Sequence, residues 1–193
     1  MHVEDIKHIL QRKLTSKRYT HSLGVQQTAI MLAEIYHVST EKASIAGLTH
    51  DCAKDLHDEE LLKYARQFDI LLDGVCKHQQ QLLHGVIGAE IARSEFQIKD
   101  DSIINAIRYH TTGKENMNLL EKIIYIADYI EPNRDFPGVE NLRKLALADI
   151  DKAILQAFDH TINYVIAKGE LLHPLTISAR NFLLVQLKVS RSE

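Results

Sequence analysis

The sequence predicts an all-α protein, and three observations lead to that fold class. Apolar residues recur at spacings of three and four along nearly the whole chain, which is the period of a helix with one buried face. Helix breakers are scarce, with 8 Gly and 3 Pro among 193 residues. No segment shows the strict alternation of a half-buried strand. These observations predict a helical bundle of about eight or nine helices.

The periodic segments can be followed in order along the chain. The spacing predicts helices over residues 3–14, 23–36, 87–96, 103–107, 119–130, 150–166 and 175–189. A further helix is expected to start at Asp58, which opens an acidic first turn. Pro132 and Gly169 are expected to end the helices before them. Residues 69–81 and 133–138 lack the pattern, and loops are expected there.

Composition limits the class of protein. With 45% hydrophobic residues and a net charge of −3, the chain suits a globular protein and disfavours a broad nucleic-acid-binding surface. No apolar stretch approaches the ~18 residues of a membrane span. Residues 1–14 carry charge throughout, which argues against a signal peptide, and the two cysteines form no disulfide or zinc pattern. We therefore expect a cytoplasmic protein with no membrane partner.

Polar side chains interrupt the apolar faces of five predicted helices. The chain has 11 His and no Trp, so the placement of the histidines needs an explanation. The inward positions carry His21, His50, His84, His110 and Asp128. Any one buried histidine is more often a hydrogen-bonded core residue than a ligand. Together, however, such groups cost several kcal/mol unless paired or metal-bound, so five of them indicate one shared site.

Imidazole and carboxylate donors favour a divalent metal of the Mn, Fe or Zn group. His50 and Asp51 are adjacent and can reach one centre from the last turn of a helix. His21 and Asp128 would complete four protein ligands and leave positions for water and a substrate oxygen.

Two further histidines leave a choice open. His84 and His110 either hold a second metal together with Asp51, or they donate to substrate oxygens.

Basic residues near the predicted metal site suit a phosphorylated substrate. Lys54 and Arg134 would neutralise charge that develops on a phosphoryl group. Lys17 and Arg18 either add positive potential at the mouth of the site or are ordinary solvated charges.

Longer segments carry a resemblance to a known family. They are RYTHSLGV around His21, HDCAKD at His50, LLHGVIGAEIA at His84, AIRYHTTG at His110, IADYIEPNRDFPGV at Asp128 and HPLTISARN at His173. The order His, His-Asp, His, His, Asp on a helical chain resembles the HD superfamily of metal-dependent phosphohydrolases. The segments together resemble the YqeK family, the symmetrical bis(5'-nucleosyl)-tetraphosphatases, over nearly the whole chain.

That resemblance implies an enzyme that cleaves diadenosine tetraphosphate and similar dinucleotides into two nucleoside diphosphates such as ADP. It implies iron, with manganese as the alternative, bound by His21, His50, Asp51 and Asp128. Asp51, Lys54, His84 and His110 would carry the catalysis. The substrate-contacting set would be Asp51, Cys52, Ala53, Lys54, His84, His110, Thr111, Asp128, Arg134 and His173. One HD domain would span residues 1–193, with a metal-ligand core at 17–131 onto which C-terminal helices at 139–189 pack; a homodimer is left open.

Other functions remain alternatives at this point. The same ligands can hold two irons for oxygenase chemistry, and a related HD enzyme could act on other nucleotides. A GYP motif typical of cyclic-dinucleotide hydrolases is missing after the His-Asp pair. A non-catalytic binding module is the third alternative. Such a module would be expected to lose a metal ligand, and none is missing here.

Overall fold

The computed structural model describes residues 1–189, and within that range every regular element is a helix. The α-helices are α1 (Val3–Lys13), α2 (Ser16–Ile35), α3 (Thr40–Thr49), α4 (Asp58–Gln67), α5 (Leu83–Ser94), α6 (Asp101–Tyr109), α7 (Leu119–Ile130), α8 (Val139–Ala148), α9 (Ile150–Ala167) and α10 (Pro174–Val189). A short 3₁₀ helix, Gln80–Leu82, precedes α5. The all-α class is confirmed. None of these described helices is long and apolar enough to cross a membrane.

The described residues form ten α-helices where the sequence predicted eight or nine; α8 lies inside the predicted C-terminal helices at 139–189 but gave no periodic segment of its own. Only Val139, Leu142 and Ala146 of this helix are buried, so its apolar stripe is narrow. A single residue, Asp149, separates it from α9: its backbone N–H bonds back to the last turn of α8, and its carboxylate accepts from Lys152 N at 3.0 Å and caps α9. A one-residue connection is too short to interrupt the helical pattern in the sequence.

Five helices meet where the predicted site residues lie. Helix α2 packs on α3 and α7, while α6 packs on α3, α5 and α7. At the α2–α3 contact, a Cβ on Gly47 would lie 3.0 Å from the Gln26 Cα, so only glycine allows this approach without a shift. Ile123, Ile124 and Ile126 of α7 are fully buried. Helix α7 is therefore the apolar centre of the bundle.

The C-terminal helices are tied to this core by polar bonds. The Tyr36 hydroxyl donates to Ala146 O at 2.7 Å, and Lys122 pairs with Asp151 at 2.6 Å. Arg143 of α8 donates to the carbonyl oxygens of residues 130, 131 and 134, each at 2.8 Å. These bonds fix the loop that leaves α7. The division into a core at 17–131 and packed helices at 139–189 stays a prediction.

Helix α6 ends in a tight turn that presents His110 and Thr111. Gly113 N donates to Tyr109 O at 2.8 Å, and Gly113 has φ +66°, a left-handed conformation that favours glycine. A Cβ at Gly113 would lie 2.6 Å from the ring of Phe158 on α9. The turn therefore needs glycine for both its backbone and its packing.

We expect Gly113→Ala to lower the free energy of unfolding by about 2–4 kcal/mol, because left-handed strain and overpacking add. Gly138→Ala is the matched control: its φ is +93°, yet nothing lies within 4 Å of an added Cβ. That variant should lose only about 1–2 kcal/mol. Urea unfolding of both variants measures the difference, and equal losses would show that the Phe158 contact is unimportant.

Candidate metal centre

Most side chains of the site lie at or next to the ends of helices. His50 follows α3, His110 follows α6 and His84 lies in the first turn of α5. His21 comes from the inner face of α2, and Asp128 from the last turn of α7. Asp51 lies in the turn after His50, and the side chains of this whole group converge in the middle of the bundle.

Backbone carbonyls fix the orientation of three imidazoles. His50 Nδ1 and His110 Nδ1 each donate to the carbonyl oxygen three residues earlier, at 2.7 Å and 2.6 Å, and His84 Nδ1 makes the same contact. A carbonyl can only accept, so the proton is on Nδ1 in each ring. The Nε2 atom of each neutral ring therefore presents a lone pair to the centre.

His21 is oriented by a carboxylate to which the sequence analysis assigned no role. Glu131 Oε1 accepts from His21 Nδ1 at 3.1 Å, and Glu131 Oε2 accepts from Asn133 N and Nδ2 at 2.8 and 2.9 Å. Glu131 is only 1% exposed. The available signal was its position three residues after Asp128, which places both carboxylates on one side of the end of α7.

His21 and His50 direct their Nε2 atoms at two carboxylates. The distances to Asp51 Oδ2 are 3.6 and 3.4 Å, and those to Asp128 Oδ1 are 3.0 and 3.8 Å. Both Nε2 atoms are buried without a hydrogen-bond partner. Lone pairs facing carboxylate oxygens repel unless a cation lies between them. Two nitrogens and two oxygens in this arrangement fit a divalent transition metal.

A second trio shares Asp51. His84 Nε2 and His110 Nε2 lie 3.3 and 3.4 Å from Asp51 Oδ1 and 3.1 Å from each other. Thr111 Oγ1 is 3.0 and 3.1 Å from these two nitrogens, and its single hydroxyl proton can be donated to only one of them at a time. Lys54 Nζ lies beside the trio, 3.4 Å from His84 Nδ1. Burial lowers the pKa of Lys54.

The electrostatics of the centre favour charged carboxylates. Burial raises the pKa of Asp51 and of Asp128, but the surrounding imidazoles outweigh it and hold both well below the usual range, with Arg134 contributing at Asp128. Burial lowers the pKa of His21, yet the hydrogen-bonded carboxylates around it raise the net value. Burial lowers the pKa of His84 to about 4, so that ring is neutral near pH 7.

Two arginines neutralise the carboxylates. Arg18 Nη1 lies 2.6 Å from Asp51 Oδ2. Arg134 Nη2 lies 2.6 Å from Asp128 Oδ1, and its Nε donates to Asp128 O at 2.9 Å. Arg18, whose role the sequence left open, is therefore part of the centre. The arginines pair with Asp51 Oδ2 and Asp128 Oδ1, the same two oxygens that face the Nε2 atoms of the histidines.

Three of the expected substrate-contacting residues lie apart from the cluster. Cys52 and Ala53 are buried, and Cys52 Sγ donates to Gly88 O at 3.5 Å. His173 Nε2 donates to Asp73 Oδ2 at 2.8 Å, and its Nδ1 accepts from the backbone N–H two residues later. The side chain of His173 therefore holds the start of α10 to the loop before α5.

Two cavities adjoin the centre. The aromatic cavity, of about 570 Å³, is lined by His110, Asp128 and Arg134 from the centre and by Tyr129, Phe136, His160 and Tyr164. The glutamine-lined cavity, of about 470 Å³, is lined by polar residues that include Gln79, Gln80, Gln81, Thr112 and His173, and by Leu82, Val165, Leu171 and Leu172. Thr111 and Thr161 line both. A third cavity, of about 630 Å³, borders His21, Lys17 and Arg18.

Comparison with known proteins places this arrangement in a family. The family model of the HD domain matches residues 18–133. The chain is 42% identical over 184 residues to a protein of Halalkalibacterium halodurans named symmetrical bis(5'-nucleosyl)-tetraphosphatase, covering 93% of this chain and 96% of that one. A Bacillus subtilis protein of the same name is 40% identical over 186 residues, covering 95% and 98%.

A solved structure agrees with the fold. The crystal structure of an HD superfamily hydrolase, described as involved in NAD metabolism, from Clostridium acetobutylicum matches with a TM-score of 0.94 and 49% identity. The match covers 96% of this chain and 98% of that one. The resemblance carried by the sequence motifs is confirmed: the chain belongs to the HD-domain family, in the branch of the symmetrical bis(5'-nucleosyl)-tetraphosphatases.

Proposed function

We propose that this protein hydrolyses diadenosine tetraphosphate and similar dinucleoside polyphosphates symmetrically, releasing two nucleoside diphosphates. One observation carries the proposal: two buried imidazole nitrogens without partners, His21 Nε2 and His50 Nε2, face carboxylates beside basic side chains. This is a metal site built next to a place for phosphate. The relatives named for this reaction share about two fifths of their residues with the chain over nearly its whole length.

His21, His50, Asp51 and Asp128 would hold the metal, with iron as the expected ion and manganese as the alternative. When bound, such a metal supplies Lewis acidity toward a phosphoryl oxygen and lowers the pKa of water, which allows attack near neutral pH. Glu131 and the backbone carbonyls keep the imidazole lone pairs directed at the ion.

His84 and His110 would accept and donate a proton rather than hold a second metal. Their Nδ1 protons are bound to carbonyls, and their Nε2 atoms lie 3.1 Å apart, close enough to share one proton between them. Thr111 supplies a hydroxyl to the same two nitrogens. A second metal held together with Asp51 is the alternative role for these two rings. The pair can accept a proton from attacking water and return it to the departing phosphate.

Lys54 would stabilise the phosphate chain directly. Its ammonium lies beside His84, and the charges of Asp51 and of both arginines act on it. The leaving group, ADP, is already a tolerable anion, so catalysis depends on positioning and on compensation of spread negative charge. Arg134 lines the aromatic cavity and would add a second cation along the chain.

The test is incubation of anaerobically purified, metal-analysed protein with diadenosine tetraphosphate, followed by anion-exchange separation of the products. ADP should be the sole product, and a chelator should abolish its formation. Asp51→Ala should lose metal and activity together, because it removes a ligand; Asp101→Asn, an exposed carboxylate of α6, is the control. ATP with AMP would contradict symmetrical cleavage, and full activity in metal-depleted Asp51→Ala would contradict the site.

Removing the carboxylate that orients His21 should weaken metal binding. We expect Glu131→Ala to lower metal affinity about 10- to 100-fold, measured by competition with a chromophoric chelator. Glu131→Gln keeps an oxygen that accepts from His21 Nδ1 and should recover most of that affinity. Unchanged affinity in Glu131→Ala would show that His21 needs no such support.

Lys54→Ala should keep its metal and lose turnover. A loss of about 10²- to 10⁴-fold in kcat is expected if the ammonium stabilises charge on the reacting phosphate. Lys63→Ala, an exposed lysine of α4, serves as the matched control. Metal content and steady-state kinetics distinguish the cases: loss of metal in Lys54→Ala, or unchanged kcat, would remove Lys54 from the proposed role.

A further inference from the structure

Symmetrical cleavage has a geometric consequence for the substrate. The scissile bond lies in the middle of the polyphosphate chain, so two equivalent halves leave the centre in different directions. Each half carries two phosphates, a ribose and a base. A protein that bound only one half would gain no binding energy from the second nucleoside.

The two cavities that meet at Thr111 offer two such places. Both volumes, about 570 and about 470 Å³, are within the usual range of small-molecule sites. Thr111 also contacts the Nε2 atoms of His84 and His110, so each cavity opens beside the proton-sharing pair. A phosphate chain lying across the centre would reach both.

The walls of the two cavities differ in chemistry. In the aromatic cavity, the ring centroids of Tyr129 and Phe136 are 5.3 Å apart at 80°, and those of Phe136 and His160 are 6.5 Å apart at 88°. All three rings are half-buried, so part of each remains accessible. Among the described residues, the glutamine-lined cavity has no Phe or Tyr, and its wall combines glutamines, threonines and His173 with Leu82, Leu171, Leu172 and the carboxylates of Asp58 and Glu170. It is left for the other half of the substrate.

We propose that the aromatic cavity binds one nucleoside of the dinucleotide, with its base stacked on the Phe136 ring and in edge contact with Tyr129, since the two rings stand at 80°. This inference rests on the function proposed above. Aromatic rings stack on any base, because every base has a π-face, so this cavity recognises the presence of a base more than its identity. The third cavity also borders Phe136 and Arg134, but Phe136 is the one Phe or Tyr ring among its described lining residues and the rest of its wall is polar or charged, so it suits a base poorly.

Arg134 connects the aromatic cavity with the phosphate path. Its guanidinium is held by Asp128 at 2.6 Å and lines the same cavity as Phe136. A nucleoside in this cavity would therefore have its 5'-phosphates beside a fixed cation and its base against the rings. That order matches the order of groups along one half of the substrate.

The test compares Phe136→Leu with wild type in two measurements. Loss of the ring should raise KM for diadenosine tetraphosphate roughly 10- to 100-fold and leave kcat unchanged, because the base contributes to binding and not to the chemical step. Equilibrium dialysis of ADP against the metal-loaded protein should give two sites per chain in wild type and one in the variant. Phe68→Leu is the matched control, since Phe68 is half-buried and stacked on Tyr64 at 5.7 Å but lines none of these cavities.

Tyr164→Ala provides an independent variant at the cavity rim, where 63% exposure makes misfolding no concern. Its KM should rise in the same direction as that of Phe136→Leu. A single ADP site in wild type, or two sites and an unchanged KM in both variants, would overturn the inference. Absence of ADP as a reaction product would instead overturn the proposed function, and the dialysis would still decide whether the aromatic cavity binds a nucleotide.

Discussion

The site depends on one electrostatic constraint: imidazole lone pairs face two carboxylates, the buried Asp51 and the half-buried Asp128. Such a contact is repulsive by itself, and the protein could relieve it by turning a ring or flipping a tautomer. Hydrogen bonds that Nδ1 donates prevent both changes, to a backbone carbonyl oxygen at His50 and to the Glu131 carboxylate at His21. The remaining relief is a cation between the groups. Metal affinity thus follows from how the rings are held as much as from which residues are present.

Helix termini reduce the number of side chains that this arrangement needs. The last carbonyls of a helix lack partners within the helix, and His50 and His110 use those carbonyls to fix their own rings. The same bond completes the helix end and directs Nε2 inward. Because the supporting oxygen belongs to the backbone, no additional side chain is needed at these two positions. His21, which lies in the middle of α2, has no free carbonyl and needs Glu131.

Sequence alone located the centre because helical period tests each polar residue against its apolar neighbours. His21, His84 and Asp128 stand out for that reason. The periodicity misses a site residue when its hydrogen-bond or ion-pair partner is distant in sequence, or when its own position along the helix is not distinctive. Arg18 pairs with Asp51 across 33 residues, and a glutamate after a helix end, such as Glu131, looks like any solvated charge.

The fold shows the same limit. A stripe of three buried residues was too narrow to reveal α8, although α4 and α7 were found from an acidic first turn and a continuous apolar face. The sequence does not say which helices lie next to each other, and both ion pairs between helices and one-residue connections depend on that. The charges at the centre also bear on how it meets its substrate. Carboxylates of Asp51, Asp55, Asp128 and Glu131 face the cations Arg18, Arg134 and Lys54, so the metal-free centre has no excess of positive charge. Such a centre has little attraction for a polyphosphate, whereas one loaded with a divalent ion becomes an anion receptor. Metal loading would then precede substrate capture, an ordered assembly in which the ion determines recognition as well as reactivity.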